Sequence, residues 1–375
     1  MSFSFFDVLI LIGITQGVIV APLLMFGREK RLSNFFLALA ILTFCLLFFK
    51  IMLNFNGVSG EIPYRYLPNA FELASGPLLY FYLIALTGKD FRWQSKYLVH
   101  FIPLGMALMY AILIYASVYP QATAQLQDEA ARKLHYHTVK EIEDWLIVVS
   151  ILSYLFLGYR KFVVFQQKVK DNTADSAYPT LSWLRNILIL SVILLMFLLI
   201  NMGISRLTTL EIHSELHWQL YFIYQAGIVY YLSFMAYRQK MPILEQIYPV
   251  ENITAENKTS APETQALANR LQHVIQQQKI YLEPSLNIRQ VAEQLEVNPS
   301  TLSQVINAYY GRSFREYIND FRIEDMKSKL LDPQKNASIL SLALESGFNS
   351  EASFYRVFKN STGLTPKGFI QQNAS

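Results

Sequence analysis

The sequence predicts an all-α protein in two parts, a seven-helix transmembrane bundle followed by a cytoplasmic double helix-turn-helix domain. Hydrophobic residues make up 53% of the chain and charged residues only 16%, whereas a soluble domain carries roughly 25% charged residues. Long apolar runs fill residues 3–237 and are almost absent after residue 240. The change in composition therefore predicts a membrane domain, a linker and a C-terminal domain outside the membrane, at 1–240, 241–262 and 263–375.

Seven apolar runs are long enough to cross a bilayer, which takes roughly 20 mostly apolar residues. They are 5–26, 33–53, 68–87, 97–118, 142–160, 183–205 and 216–237. The loops after the odd-numbered runs carry clusters of Lys and Arg, and the other loops are poorer in them. Because basic loops stay in the cytoplasm, we expect a multi-pass protein of the inner (cytoplasmic) membrane, with the N-terminus outside and the C-terminal domain in the cytoplasm. The lipid bilayer is thus one expected partner.

Polar groups inside the predicted spans are candidates for a sensor pocket, because such groups are costly in a bilayer. The candidates are Lys50, Glu72, Asn69, Asp144 and Asn201, with Gln16 and Gln225 as further members of the same cavity. Lys50 and Glu72 lie at matching depths near the outer ends of their spans, so we expect them to pair. The alternative is that these groups only hold the bundle together through interhelical hydrogen bonds.

Two histidines near the outer end of the last span are weak candidates for a metal or proton sensor. His213 and His217 are four residues apart and would share one face of a helix. Histidines without such a role are commoner at interfaces. The single cysteine, Cys45, excludes an intrachain disulfide and a zinc site built on several thiolates. We expect no metal site and no cofactor.

Local start and stop signals define the helices of the C-terminal domain. Asn298 is an N-cap with Pro299 at the first helical position, and Ser313 with Glu316 forms a capping box. Gly347 begins a turn before the next cap. The predicted helices are 264–279, 287–295, 299 to about 308, 313–331, 338–346, 350–360 and one that opens at Thr365-Pro366.

The pattern of the C-terminal domain repeats at one offset. Gly311 and Gly363 are 52 residues apart, and three apolar positions have partners at the same offset, Leu302 with Phe354, Val305 with Val357, and Ile318 with Ile370. Two helix-turn-helix units joined by the helix 313–331 explain this repeat. A generic helical bundle is the alternative.

The stretch GFNSEASFYRVFKNSTGLTP at 347–366 resembles the motif of the AraC/XylS family of transcription regulators. The first half, LSQVINAYYGRSFREYINDFRIEDMKSKLL at 302–331, is similar to a membrane-bound branch of that family, with an N-terminal seven-transmembrane domain. Two pieces of the membrane half also match, GPLLYFY at 76–82 and HFIP at 100–103. The resemblance is firm over 285–370 and looser over 68–103.

The second helix of a helix-turn-helix enters the major groove, and its outward residues near the N-terminus meet the bases. The resemblance implies base contacts with double-stranded DNA from Ser300, Ser303, Gln304, Ala352, Ser353 and Arg356. Arg312, Lys359 and Lys367 are better placed for phosphates. One departure is that residues 304–308 are neutral, where many family members are basic. A homodimer would compensate for weak binding by the first unit.

These observations predict a membrane-embedded one-component transcription regulator whose DNA binding is controlled by an unknown small-molecule or physical stimulus. A membrane transporter or enzyme with a regulatory DNA-binding tail is the alternative, and a receptor whose domain recruits a protein partner is a third. No nucleophile elbow, zinc-protease motif or P-loop occurs in the sequence. We therefore expect no catalytic residues and no enzymatic activity.

Overall fold

The computed structural model describes residues 4–27, 32–55, 58–88, 91–174, 179–207, 216–238, 261–332, 334 and 337–373. The chain divides into two compact units. The first comprises Met1–Phe162 and Trp183–Lys240, and the second comprises Val163–Ser182 and Met241–Ser375. The predicted linker, 241–262, lies outside the described residues except for its last two positions.

The first unit is mostly helical where it is described. Its helices are α1 Phe5–Phe26, α2 Leu32–Phe55, α3 Glu72–Thr87, α4 Ile102–Val118, α5 Ala124–Lys133, α6 Tyr136–Asn172, α7 Pro179–Leu207 and α8 Leu216–Arg238. The last part of α6, from residue 163, and the start of α7, to residue 182, belong to the second unit. Helix α1 packs against α2 and α8, and α2 also packs against α3. Short 3₁₀ turns occupy Val58–Gly60, Ile62–Tyr64 and Ser95–Phe101.

Among the described residues, five helical stretches are long and apolar enough to cross a membrane. They are Phe5–Phe26, Leu32–Phe55, Ser95–Val118, Tyr136–Val169 and Ser182–Ser205. Helix α3 is apolar but has only 16 residues, and α8, with 23 residues, is not one of the five. Several apolar helices are therefore present, whereas the full set of seven spans stays a prediction.

Helix α6 is longer than the sequence predicted. The fifth predicted span ends at 160, but the helix continues to Asn172. Residues 161–172 contain neither Gly nor Pro, so nothing in the local sequence stops the helix there. The helix is 37 residues long, which corresponds to about 55 Å. A stretch that was expected to be a loop is therefore the end of a rigid element.

The second unit contains the predicted helices with small shifts at their ends. They are α9 Ala261–Gln278, α10 Ile288–Gln294, α11 Pro299–Val305, α12 Phe314–Leu330, α13 Ile339–Glu345, α14 Glu351–Thr362 and α15 Pro366–Asn373. The predicted caps are present: Asn298 Oδ1 accepts from the backbone N–H of Ser300 at 3.0 Å, and Ser313 and Glu316 form the reciprocal capping box. Local hydrogen-bonding chemistry thus sets where these helices begin.

The repeat in the C-terminal domain is visible in the structure. Gly311 and Gly363 end their helices in the left-handed region, at φ +64° and +75°. Ser313 and Thr365, also 52 residues apart, both accept a backbone N–H three residues ahead. The two helix-turn-helix units are therefore α10–α11 and α13–α14.

Helix α12 is shared by two apolar cores. Its first half contributes Phe314 and Ile318 to the core of the first helix-turn-helix unit. Its second half contributes Ile323 and Met326 to the core of the second unit, which also contains the fully buried Phe354. One helix therefore joins the two units, as the sequence predicted.

The first helix-turn-helix unit departs from regular geometry after α11. The α-helical hydrogen bonds end at Val305, and Ile306–Tyr310 forms a π-helical turn in place of the regular helix predicted to residue 308. The Tyr310 hydroxyl donates to the carbonyl of Ala268 at 2.9 Å, and its ring lies 4.5 Å from that of Tyr317. These tertiary contacts, which no local pattern reveals, accompany the wider turn.

Candidate nucleic-acid interface

Helix α11 presents the first set of predicted base-contacting residues. Leu302 and Val305 are buried beneath it. Gln304 is exposed, and Ser300 and Ser303 are half-buried on the outer side. The predicted inward and outward faces of α11 therefore agree with the structure, while the contacts to bases stay a prediction.

Helix α14 presents the second set, with one correction. Phe354 and Phe358 are fully buried, and Ala352 and Arg356 are exposed. Ser353, which was expected to point outward, is only 9% exposed. Its backbone N–H donates to the Ser350 hydroxyl at 3.3 Å, and the neighbouring apolar core covers its side chain. The outward positions of α14 are thus Ala352 and Arg356.

The basic residues in and next to the second helix-turn-helix unit are available for a ligand. Arg356, Lys359 and Lys367 are exposed. Within the described part of the chain, none of the three forms an ion pair. Arg356 and Lys359 lie on α14, and Lys367 lies in the first turn of α15, so positive charge lies on and beside one recognition helix.

The arginines in and next to the first helix-turn-helix unit have intramolecular partners instead. Arg312 pairs with Asp320 at 2.5 Å, and Arg289 pairs with an acidic residue one turn along α10 at 2.8 Å. Arg315 donates through Nε to the carbonyl of Thr173 at 2.9 Å. The predicted weakness of the first unit therefore extends beyond its neutral recognition helix, because its nearby cations are already engaged.

A buried arginine in α12 fixes the two helix-turn-helix units to each other. Arg322 is 1% exposed. It donates from Nε to the carbonyl of Tyr281 and from a terminal nitrogen to the carbonyl of Glu283, both at 2.7 Å. Its guanidinium also lies 5.9 Å from the ring centre of Phe348. The arginine thus ties the 280–283 turn, which precedes the first helix-turn-helix unit, to the turn of the second helix-turn-helix unit.

Gly347 allows this close approach between the units. Its φ is +87°, and a Cβ at this position would lie 2.5 Å from the carbonyl oxygen of Tyr281. Asn349, two residues after Gly347, donates from its side-chain amide to the carbonyl of Pro284 at 3.0 Å. Sequence reasoning missed Arg322, although a charged residue on the apolar face of α12 was a signal that it needed buried partners.

The predicted sensor residues lie in the first compact unit, which holds the apolar helices, and the structure brings only some of them together. Glu72 and Asp144 line one cavity of about 240 Å³, together with Ile147, Leu198, Met202, Ser205 and Trp218. Lys50 donates to the carbonyl of Leu67 at 3.3 Å. In the described part of the chain it forms no ion pair with Glu72, so the expected pairing of Lys50 with Glu72 is wrong.

The other predicted sensor residues have different surroundings. Asn201 is 1% exposed and donates to the carbonyl of Phe197 at 2.7 Å, while its side-chain oxygen has no partner among the described residues. The carbonyl of Asn69 accepts from Lys140 at 2.6 Å, and Lys140 also pairs with Glu143 at 2.7 Å. Sequence reasoning placed Lys140 in an outer loop and missed this contact.

The structure does not test the weak metal candidates, His213 and His217, as a pair. His213 lies outside the described residues, and His217 lies on α8. In the described part of the chain, no three or more His, Cys, Asp or Glu side chains come together as a metal site.

The two pieces of the membrane half that carry the resemblance pack together. Phe81 is fully buried. Its ring stacks on that of Phe101 at 5.9 Å and meets the edge of His100 at 5.2 Å. His100 Nδ1 is 2.8 Å from the hydroxyl of Tyr154. These motifs therefore build one aromatic cluster of the first unit.

Comparison with known proteins agrees with the architecture of the second unit. Residues 291–372 match the family model described as a helix-turn-helix domain. The chain is 27% identical over 117 residues to the melibiose operon regulatory protein of Escherichia coli strain K12, covering 30% of this chain and 38% of that protein. It is 34% identical over 82 residues to an uncharacterized HTH-type transcriptional regulator, YobQ, of Bacillus subtilis, covering 22% of this chain and 33% of that protein.

A solved structure of a protein of unknown function from Listeria innocua matches at 26% identity and a TM-score of 0.25, covering 28% of this chain and 95% of that chain. The family match over residues 291–372 and the similar proteins show that the C-terminal segment carries a helix-turn-helix domain of the AraC type, and that its relatives are transcriptional regulators. The chain spans less than two-fifths of the length of the melibiose operon regulatory protein.

Proposed function

We propose that this protein is a membrane-embedded one-component transcription regulator that binds double-stranded DNA through α11 and α14. The observation that carries the proposal is the exposed positive charge on α14, which forms no ion pair among the described residues, in a unit whose orientation Arg322 fixes. Free cations beside a recognition helix supply the phosphate attraction that dominates DNA affinity. The helix-turn-helix match over 291–372 supports the same conclusion.

Each unit would insert its second helix into a major groove. Arg356 suits bidentate hydrogen bonding to guanine, and Gln304 suits adenine. Ser300, Ser303 and Ala352 complete the base-facing set, and Lys359 with Lys367 would contact phosphates, joined by Arg312 once Asp320 releases it. Two rigidly linked units would read successive major grooves on one face of the DNA, roughly 34 Å apart.

The first unit of the chain would anchor the domain in the inner membrane through seven spans. The five long apolar helices support this proposal, and α3 and α8 would be the remaining spans. The cavity that contains Glu72 and Asp144 would be the outward-facing sensor pocket. A stimulus must bind two states of the bundle unequally to change the output. A second copy of the chain would strengthen binding by doubling the contacts.

Genome-wide mapping of DNA bound by the tagged full chain tests the core claim. We expect native protein to be enriched at sites that share a sequence, and Arg356→Ala to lose that shared sequence. Arg289→Ala is the matched control, because it removes an exposed, ion-paired arginine from α10. Absence of any common sequence for the native chain would refute sequence-specific binding.

The topology is tested by labelling with a membrane-impermeant maleimide in a Cys45→Ala background. A cysteine replacing the exposed Glu129 should react in intact cells, and a cysteine replacing Lys359 should react only after the cells are opened. The reverse pattern would refute the proposed orientation.

A further inference from the structure

A short segment that follows α6 contacts the edge of the first helix-turn-helix unit. Thr173 forms an isolated antiparallel bridge with Asn287. The backbone N–H of Ala174 donates to the carbonyl of Leu286 at 3.2 Å. Thr173 is 2% exposed and Ala174 is 4% exposed, and Ala174 belongs to the same core cluster as Leu286 and Ile288. The segment is therefore packed against Leu286 and Asn287, the two residues that directly precede α10.

The same segment holds a cation on a second side. Arg315, in the first turn of α12, donates to the carbonyl of Thr173 at 2.9 Å and to its hydroxyl at 3.2 Å. Helix α12 follows the recognition helix α11 after a short turn, so Arg315 lies near the predicted phosphate-contacting residue Arg312 in sequence. While the segment is in place, both arginines are engaged within the protein.

The position of this segment in the chain gives it mechanical importance. It directly follows α6, which is unbroken from Tyr136 to Asn172. Residues 161–172 extend the helix by about 18 Å beyond the predicted end of the fifth span. On its other side, α7 begins at Pro179 and leads into the sixth predicted span. A movement of α6 would therefore reach Thr173 without passing through the 241–262 linker.

We propose that residues 172–174 form a docking segment through which the membrane domain restrains the first helix-turn-helix unit. Release of the docking segment frees Arg315 and raises the affinity for DNA. This inference rests on the proposed DNA-binding function. The signal then reaches the DNA-binding domain through α6, and the linker 241–262 serves as a tether only.

A reversible cross-link tests whether the contact exists in the full chain in native membranes. Thr173→Cys and Asn287→Cys are combined with Cys45→Ala, which removes the only native cysteine. Opposed residues of an antiparallel pair have Cβ atoms about 4.5–5.5 Å apart, so a disulfide needs only a small adjustment. Oxidation should give an intrachain cross-link. Thr173→Cys with Asn360→Cys, on the exposed side of α14, should not cross-link. Failure of the first pair, or equal yield in both, would overturn the docking contact.

The regulatory role is tested by DNA binding of the same 173/287 cysteine variant in nanodiscs. The DNA is selected from a random pool with the reduced protein. We expect reduction of the cross-link to tighten binding at least about tenfold, which corresponds to about 1.4 kcal/mol. Equal affinity of the oxidised and reduced forms would overturn the proposal. If neither form selects DNA although the cross-link is made, the DNA-binding function itself fails, and the regulatory role fails with it.

A second variant changes no residue of the segment 263–375. Ala174→Glu places a charge in the buried docking contact and should tighten DNA binding of the full chain in the same way. Val164→Glu adds the same charge at a side chain that is 55% exposed on α6, and it should leave the affinity at the native level. Native affinity for Ala174→Glu, or an equal rise in both variants, would contradict the proposed release mechanism.

Discussion

Replacing Arg322 with alanine should destabilise the DNA-binding domain by about 3 kcal/mol. The bond to the carbonyl of Tyr281 is buried and the bond to the carbonyl of Glu283 is only part-buried. Losing a charged donor to a buried acceptor costs about 1–3 kcal/mol, and the exposed acceptor regains some of that from water. The lost contact with Phe348 adds a smaller amount.

This loss is large against the total stability of a domain, about 5–15 kcal/mol. Arg322→Lys should cost roughly half as much, because one ammonium group keeps the charge but cannot reach both carbonyls in a planar fork. Urea unfolding of the fragment 261–375, followed by circular dichroism, measures both changes.

Arg356→Ala is the matched control, because this arginine is exposed on α14. It should change the stability by no more than about 0.5 kcal/mol. A loss below about 1 kcal/mol for Arg322→Ala would refute the reasoning, because it would mean that the two carbonyls find other donors at no cost.

Three further predictions concern the same domain. Gly347→Ala should destabilise the domain by more than about 2 kcal/mol, because a Cβ would lie 2.5 Å from a carbonyl oxygen. Gly363→Ala, at a similar φ in open space, should cost only about 1 kcal/mol. Equal losses of stability in urea unfolding would contradict the close approach at Gly347. Arg356→Ala should weaken binding to the selected site by about 1–3 kcal/mol, measured by fluorescence anisotropy, and an unchanged base preference would rule out the guanine contact. The backbone N–H and hydroxyl of Ser313 lower the pKa of Glu316. The cap therefore stabilises the domain above the usual glutamate pKa, and this contribution disappears as the pH falls through the lower pKa of the folded state. Glu316→Gln should flatten the acid side of a curve of stability against pH, and an unchanged curve would refute the linkage.

The sequence was sufficient for features that depend on neighbours in the chain. The cap at Asn298 and the capping box at Ser313 were both predicted, because each is a local hydrogen-bonding requirement. The 52-residue repeat predicted two units joined by one helix for the same reason: it is a pattern of local signals.

Features that depend on residues far apart in the chain were missed. Arg322 contacts the carbonyl of Tyr281, 41 residues away, and Arg315 contacts Thr173, 142 residues away. Neither partner is marked by composition or period. The pairing of Lys50 with Glu72 was predicted from depth alone, and depth does not fix the rotation of a helix about its axis. Ser353 was placed outward by helical spacing, but its neighbours in the fold bury it.

The difference in charge between the two units implies an order of events on DNA. The second helix-turn-helix unit offers exposed cations that form no ion pair within the described part of the chain, so it should meet the phosphates first. Because Arg322 fixes the units to each other, seating α14 would bring α11 to the next major groove. There, phosphates and the docking segment compete for Arg315.

Competition for one group is reciprocal by thermodynamic linkage. If release of Thr173 tightens DNA binding by a given factor, saturating DNA must weaken docking by the same factor. The equilibrium yield of the 173/287 cross-link in a redox buffer should therefore fall when the selected DNA is added. Unselected DNA at the same concentration should have less effect, because it binds more weakly. An unchanged yield with selected DNA would show that α11 binds while Thr173 stays docked, and Arg315 would then have no part in the interface.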